Sequence, residues 1–126
     1  MKLVLDTSVI IKWFVTAENE EHREEALVLF RQVRSGQLRM IQPIHWQAEV
    51  ITVLVWAMPE KVPELIPLLS ILEEERADSP AIYQRAAGIS TAYNHHLFDT
   101  LYHAAALEYQ AVVVTDDGKY FNKISA

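Results

Sequence analysis

Five acids stand almost alone in apolar stretches, and any fold of this chain must find a place for them. Asp6 is the only charge between Lys2 and Lys12. Glu49 is the only formal charge between Arg39 and Glu60, and Asp99 the only one between Arg85 and Glu108. Asp116 and Asp117 directly follow the apolar run Ala111-Val112-Val113-Val114. A carboxylate dehydrated among apolar side chains is costly unless it is paired, hydrogen-bonded or metal-bound. Taken singly, each has an ordinary reading. Asp6 suits a helix cap, Glu49 or Asp99 an arginine or amide partner, and Asp116 or Asp117 a turn before Gly118. Taken together, they point to carboxylates that meet in the fold and share a cation.

The pattern between the acids alternates strand with helix. Lys2 to Asp6 reads as a short buried strand ending in an acid, and Thr7-Ser8 supplies cap chemistry for a helix over Val9 to Phe14. Asn19 to Arg34 is an amphipathic helix with Ala26, Leu27, Leu29, Phe30 and Val33 on its apolar side, stopped near Gly36. Leu38 to Gln42 reads as a second strand. Pro43 opens a helix to about Met58, and residues 60 to 75 form another. Arg76 to Ser79 is ambiguous and has room for a short strand. Pro80 opens a helix to about Asn94, His96 to Gln110 forms the next, and Val112 to Thr115 is a strand. Asp117 to Ile124 reads as a turn and short helix. Such alternation predicts an α/β fold: a three-layer α/β/α sandwich whose mainly parallel sheet is covered on both faces. There are no repeats or flexible linkers, so residues 1–126 are expected to form a single domain.

Composition narrows the function. The net charge of −6 argues against a broad nucleic-acid surface driven by net basicity, though not against a local basic patch. No apolar stretch approaches the roughly 20 residues a membrane helix needs. The N-terminal apolar run is broken by Asp6, unlike a signal peptide. The absence of cysteine excludes disulfides, thiol catalysis and Cys-ligated zinc, and fits a cytoplasmic protein.

Functional groups of open parallel sheets gather at the carboxyl ends of strands. Asp6 ends one strand and Asp117 lies just beyond another, so both reach one edge if those strands are neighbours. Glu49 shares a helical face with Trp46, Val50 and Val53, and Asp99 shares one with His95, Tyr102, His103 and Ala106. Hard carboxylate oxygens suit Mg²⁺ or Mn²⁺. The histidines are weaker signals: His95-His96 fits a helix start better than a metal-ligand spacing, and His45 and His103 read as hydrogen-bonded structural residues. Lys12, Arg39 and Lys119 are candidates for phosphate contacts, with solvated surface charge as the alternative. Trp13 and Phe14 suit the core or a partner groove. The three glycines form no phosphate-binding loop. Ser8 occupies the place where a haloacid-dehalogenase-like phosphatase would want a second acid.

At this point the motifs resemble those of PIN-domain ribonucleases, especially the VapC-type toxins of prokaryotic toxin–antitoxin pairs. Asp6-Thr7-Ser8-Val9-Ile10-Ile11-Lys12-Trp13-Phe14 resembles the family's opening. Glu49-Val50-Ile51-Thr52-Val53-Leu54 is similar to its second acidic motif, and Phe98-Asp99-Thr100-Leu101-Tyr102-His103 to its third. Val113-Val114-Thr115-Asp116-Asp117 resembles the last strand with its Thr-x-Asp. Carried over residue by residue, the resemblance implies an acidic quartet of Asp6, Glu49, Asp99 and Asp117 that binds metal and is catalytic. Ser8, Thr115 and Asp116 would support it. It further implies Mg²⁺- or Mn²⁺-dependent endonucleolytic cleavage of RNA, a cognate antitoxin that blocks the site, and a toxin homodimer. Thr52 departs from the Asn or Ser often found there. The family's chains usually continue into a final edge strand, which is expected to be missing here, where the sequence ends at Ala126. The rival reading is a non-catalytic α/β binding module or a receiver-like signalling domain, which also places acids at strand ends.

Overall fold

The computed structural model describes residues 1–15, 22–72 and 75–116. Among these residues, four short strands joined by six α-helices form one parallel sheet: β1 (Lys2–Leu5), β2 (Arg39–Pro43), β3 (Glu75–Ala77) and β4 (Val112–Val114), in the order β3-β2-β1-β4. The helices are α1 (Thr7–Phe14), α2 (Arg23–Arg34), α3 (Trp46–Ala57), α4 (Val62–Leu72), α5 (Pro80–Tyr93) and α6 (Leu97–Tyr109). A 3₁₀ turn over Pro59–Lys61 separates α3 from α4. The chain steps outward from β1 to β2 to β3 and then crosses back beyond β1 to β4. Right-handed crossovers therefore put α1 to α4 on one face of the sheet and α5 and α6 on the other. This is the expected three-layer sandwich.

The central strands carry the core. Leu3, Val4 and Leu5 of β1 and Met40 and Ile41 of β2 are buried on both sides, which is why these strands are continuously apolar rather than alternating. Helix α1 fastens α2 through Trp13, which is buried, donates its indole N–H to the Ala26 carbonyl at 2.7 Å and meets the Phe30 ring edge-on at 5.1 Å. Phe14 is partly buried and packs against the same core. Helix α6 lies against β1, β2 and β4 and pairs with α5. Its buried Ala104, Ala105 and Ala106 present little bulk to the layers beside them.

Several local expectations shift. Helix α2 begins at Arg23 because His22 adopts a left-handed backbone (φ 64°), which a helix interior does not accommodate. Gly36, at φ +84°, ends the same helix as expected. Pro43 does not open α3. It is the last residue of β2, paired with Ala77 of β3, and α3 starts three residues later. A strand terminus tolerates proline because no further ladder donor is needed there. The short strand allowed within Arg76 to Ser79 is β3, one residue earlier. Ser79 caps α5 with Pro80 in its first turn, and His96 caps α6 by accepting the Phe98 amide at 3.1 Å. The turn and short helix expected over Asp117 to Ile124 lie outside the described residues, as does the question of a final strand.

Candidate active site

Strand order reverses between β1 and β4, and a crevice at such a switch point opens at the carboxyl ends of the strands. Asp6 follows β1 there. The register Leu3↔Val112, Val4↔Val113, Leu5↔Val114 places Thr115 beside it, and the Asp6 amide donates to the Val114 carbonyl at 3.0 Å. Asp6 stands at the N-cap of α1, yet its side chain does not cap the helix. Its Oδ2 instead accepts the hydroxyls of Ser8 at 3.0 Å and Thr115 at 2.7 Å. Ser8 in turn accepts the Asp116 amide at 3.0 Å. Thr7 and Ser8 thus sit inside α1, where their hydroxyls serve the acids, rather than capping it. Burial raises the Asp6 carboxyl above its ordinary range; the Thr115 and Ser8 hydroxyls and the Thr7 amide oppose this, and the charge of Asp99 adds to it.

Glu49, in the first turn of α3, is held by three donors on one oxygen. Tyr102 of α6 donates to Oε1 at 2.7 Å and Thr7 at 3.3 Å, and His45 Nε2 lies 3.2 Å away. The Tyr102 and Thr7 hydroxyls also meet at 2.9 Å. His45 Nε2 lies 2.9 Å from the Phe98 carbonyl, which only accepts, so that nitrogen carries the proton. Burial pushes the Glu49 carboxyl up, but the bonds from His45, Tyr102 and Thr7 outweigh it and leave it below the ordinary range. Burial, followed by the bond to Glu49, pushes the Tyr102 phenol far up, so Tyr102 remains a donor. Asp99, in the first turn of α6, pairs with His95 Nε2 at 3.0 Å. Its side chain is 42% exposed.

The other candidates separate. Asp116 pairs with Lys12 Nζ at 3.2 Å and His22 Nδ1 at 2.9 Å, and those bonds lower its carboxyl. Lys12 is buried at 3% exposure, inside the fold rather than on the surface where a phosphate would approach. Arg39 opens β2 opposite Lys2, at the amino end of the sheet, roughly 13 Å of strand from the carboxyl end. The structure does not bring it to the acids. Thr52 is exposed and bonds back to the Ala48 carbonyl at 2.8 Å, away from them. Asp117 and Lys119 lie outside the described residues.

The PIN domain family profile matches residues 3–126. The chain belongs to the PIN domain family. Among curated protein sequences none matches it significantly. Solved structures do. The 2.2 Å structure of VapBC-1 from nontypeable Haemophilus influenzae aligns over 99% of this chain and 93% of that one, with 20% identity and a TM-score of 0.66. VapC20 of Mycobacterium tuberculosis, a sarcin-ricin loop cleaving toxin, aligns over 95% and 93%, with 12% identity and a TM-score of 0.72. At these identities the likeness is one of fold. A receiver-like domain would want an acid after a middle strand, whereas β2 ends in Gln42-Pro43.

Among the described residues no three His, Asp or Glu side chains are grouped closely enough to hold a metal ion. The charge of Asp99 nevertheless adds, as the smallest of its causes, to the rise of the Asp6 carboxyl. Mg²⁺ keeps several waters and commonly takes one or two protein carboxylates, so this donor pair suits it chemically. The hydroxyls of Ser8 and Thr115 would orient Asp6 as partners of a ligand do.

His45 is the hydrogen-bonded residue the sequence suggests and Tyr102 shares the face of Asp99, but the tie of both to Glu49, and the role of Gln42, are not read from the sequence. Tyr102 and His45 hold Glu49 across 53 and 4 positions respectively. Gln42, fully buried in β2, accepts the Leu5 amide at 2.7 Å and donates to the Leu5 carbonyl at 2.8 Å. Its side chain thereby secures the peptide just before Asp6, beyond the last main-chain pairing of β1 with β2 at Leu3↔Met40. A lone polar residue in an apolar strand was the available signal for Gln42.

Proposed function

We propose that this PIN-domain protein is a Mg²⁺- or Mn²⁺-dependent endoribonuclease and the toxin component of a type II toxin–antitoxin pair. The observation that carries the reading is Asp6 itself: a half-buried carboxylate at the β1–β4 switch point whose Oδ2 is fixed by the hydroxyls of Ser8 and Thr115. Support comes from the fold shared with a VapBC structure and with a toxin described as cleaving the sarcin-ricin loop.

Asp6 and Asp99 would hold the cation, with Glu49 and Asp117 completing the acidic set. A bound divalent ion supplies charge neutralisation for the phosphodiester and lowers the pKa of a water. The chain's own residues keep the acids in place. Ser8 and Thr115 donate to one oxygen of Asp6. Tyr102, Thr7 and His45 keep Glu49 ionised and fix its rotamer. The crowded negative charge disfavours bare phosphate, so RNA binding without metal is expected to be weak.

An antitoxin and a second copy of the chain would both need apolar surface. Val55 and Trp56 on α3 and Ile66 and Ile71 on α4 are exposed, and we assign this surface to protein contact. The function is tested by mapping new RNA ends after brief expression of the wild type and of Asp6→Asn. Discrete ends with the wild type alone are expected. Identical ends with both would refute it.

A further inference from the structure

Three aromatic rings run inward from the surface beside the acids. Phe98, in the first turn of α6, is 46% exposed. Its ring lies 5.0 Å from that of His45, inclined by 31°. The His45 ring lies 4.9 Å from that of Tyr102, whose hydroxyl donates to Glu49. The inner end of the series is therefore tied to an acid of the candidate site, and its outer end is wet. A lone exposed phenylalanine is ordinary. This one is braced on more than one side: His45 Nε2 donates to its carbonyl, the His96 ring meets it edge-on at 5.0 Å, and its amide donates to His96 Nδ1. The next residue in the chain is Asp99.

Charge indicates what such a ring would hold. The chain carries a net charge of −6, Asp99 directly follows Phe98, and Glu49 is bonded to Tyr102 and His45 of the ring series. Phosphate attraction, which dominates most nucleic-acid binding, is thus poor over the whole protein. A strand held at the acids needs a contact that does not depend on positive charge. Base–aromatic stacking is such a contact, and it is open only to a base that is not already stacked within a duplex.

We propose that Phe98 is a stacking platform for an unpaired nucleobase, extending the Phe98–His45–Tyr102 series by one ring and setting the adjoining phosphodiester over Asp6 and Asp99. This rests on the ribonuclease reading and adds to it a residue, Phe98, that would contact the substrate's base. The platform is preorganised, because the rings beneath it are fixed by hydrogen bonds that do not involve substrate.

The test uses a single-stranded A/U RNA decamer carrying 2-aminopurine, titrated in Mg²⁺ against the Asp6→Asn protein, so that the probe stays intact. Binding should quench the fluorophore. Adding Phe98→Ala or Phe98→Leu should weaken affinity about ten- to hundred-fold, whereas Phe98→Trp should retain it. In the cleaving protein, Phe98→Ala should lower kcat/KM by about the factor lost in affinity. Melting of each variant within a few degrees of its parent establishes that the fold is kept, since the side chain is half exposed. Affinity unchanged in Phe98→Ala, or kept in Phe98→Leu, overturns the platform. So does a duplex of the same sequence that binds equally well. A loss of affinity for an inhibitory protein alone, with RNA affinity intact, makes Phe98 a protein anchor and also overturns it. If the wild type cleaves RNA while affinity is indifferent to Phe98, the platform fails and the ribonuclease reading stands. If the wild type neither binds nor cleaves RNA, both fail.

Discussion

Replacing Tyr102 by Phe removes one oxygen and almost no volume, which isolates the bond that fixes Glu49. The hydroxyl donates to Glu49 Oε1 at 2.7 Å and meets Thr7 at 2.9 Å. A hydrogen bond to a charged group contributes about 1.5–3 kcal/mol. The Glu49 side chain is 27% exposed, and His45 and Thr7 remain as donors, so the lower part of that range applies, about 1–2 kcal/mol. For a chain of this size the melting temperature should fall by about 5 °C. The loss should also depend on pH. A carboxyl held below its ordinary value in the folded state adds stability in full above its unfolded pKa, and that stability is lost as pH falls through the folded value. Glu49 is such a group, lowered from 4.5 because its hydrogen bonds outweigh its burial. The penalty of Tyr102→Phe should therefore be largest near pH 7 and shrink below about pH 4. Urea unfolding followed by tryptophan fluorescence, in chelator at pH 7 and pH 3.5, measures both. An equal penalty at the two pH values, or none at pH 7, would refute the reasoning.

Asp6 behaves oppositely. Burial raises its folded pKa, so its contribution is fully present below the ordinary value of 3.8 and is lost as pH rises through the raised one. At pH 7 in chelator, Asp6→Asn should melt a few degrees above the wild type, and Mg²⁺ should stabilise the wild type more than the variant; a lower melting point in chelator counts against this. Gln42→Leu strands the amide and carbonyl of Leu5 in the core and should cost about 2–5 kcal/mol in urea unfolding; a cost below about 1 kcal/mol would show that the pair is replaced. Arg39→Ala, at the far end of the sheet, should leave kcat/KM for RNA within about twofold, on the expectation that surface changes away from a site have little effect. A tenfold loss would place RNA on that end instead.

What could be read in the sequence was what local chemistry and periodicity encode. An apolar run that stops at Asp6 is a buried strand delivering an acid to the carboxyl end of the sheet, and the run before Asp116 is a partly exposed strand, at the edge among the described residues, that does the same. Their adjacency, β1 beside β4, is left open by the alternation of strand and helix and is supplied by the fold. Helix α6 was legible from the His96 cap and the small apolar residues behind Asp99. What was not legible depends on contacts across the fold. Thr7 and Tyr102 meet over 95 positions, and Gln42 reaches Leu5 over 37. Local pattern marks Gln42 as a lone polar residue in an apolar strand but names neither partner. Thr7-Ser8 has the composition of a cap, but Asp6 already occupies that position, and the hydroxyls turn to nearby acids. Pro43 has the composition of a helix start, but the pairing of β2 with β3 extends the strand through it. Lys12 looked like surface charge because helix periodicity does not reveal that Asp116 would be brought beneath it.

The proposal that the acids at the β1–β4 switch point cut RNA with a divalent cation is tested most directly with purified protein and a uniformly labelled single-stranded RNA. Cleavage is measured for the wild type and Asp99→Asn, each with Mg²⁺, with chelator, and with Mg²⁺ restored. The account predicts discrete products from the wild type in Mg²⁺, none in chelator, recovery on restoring the ion, and none from Asp99→Asn throughout. Undiminished cleavage in excess chelator, or equal cleavage by folded Asp99→Asn, would contradict it.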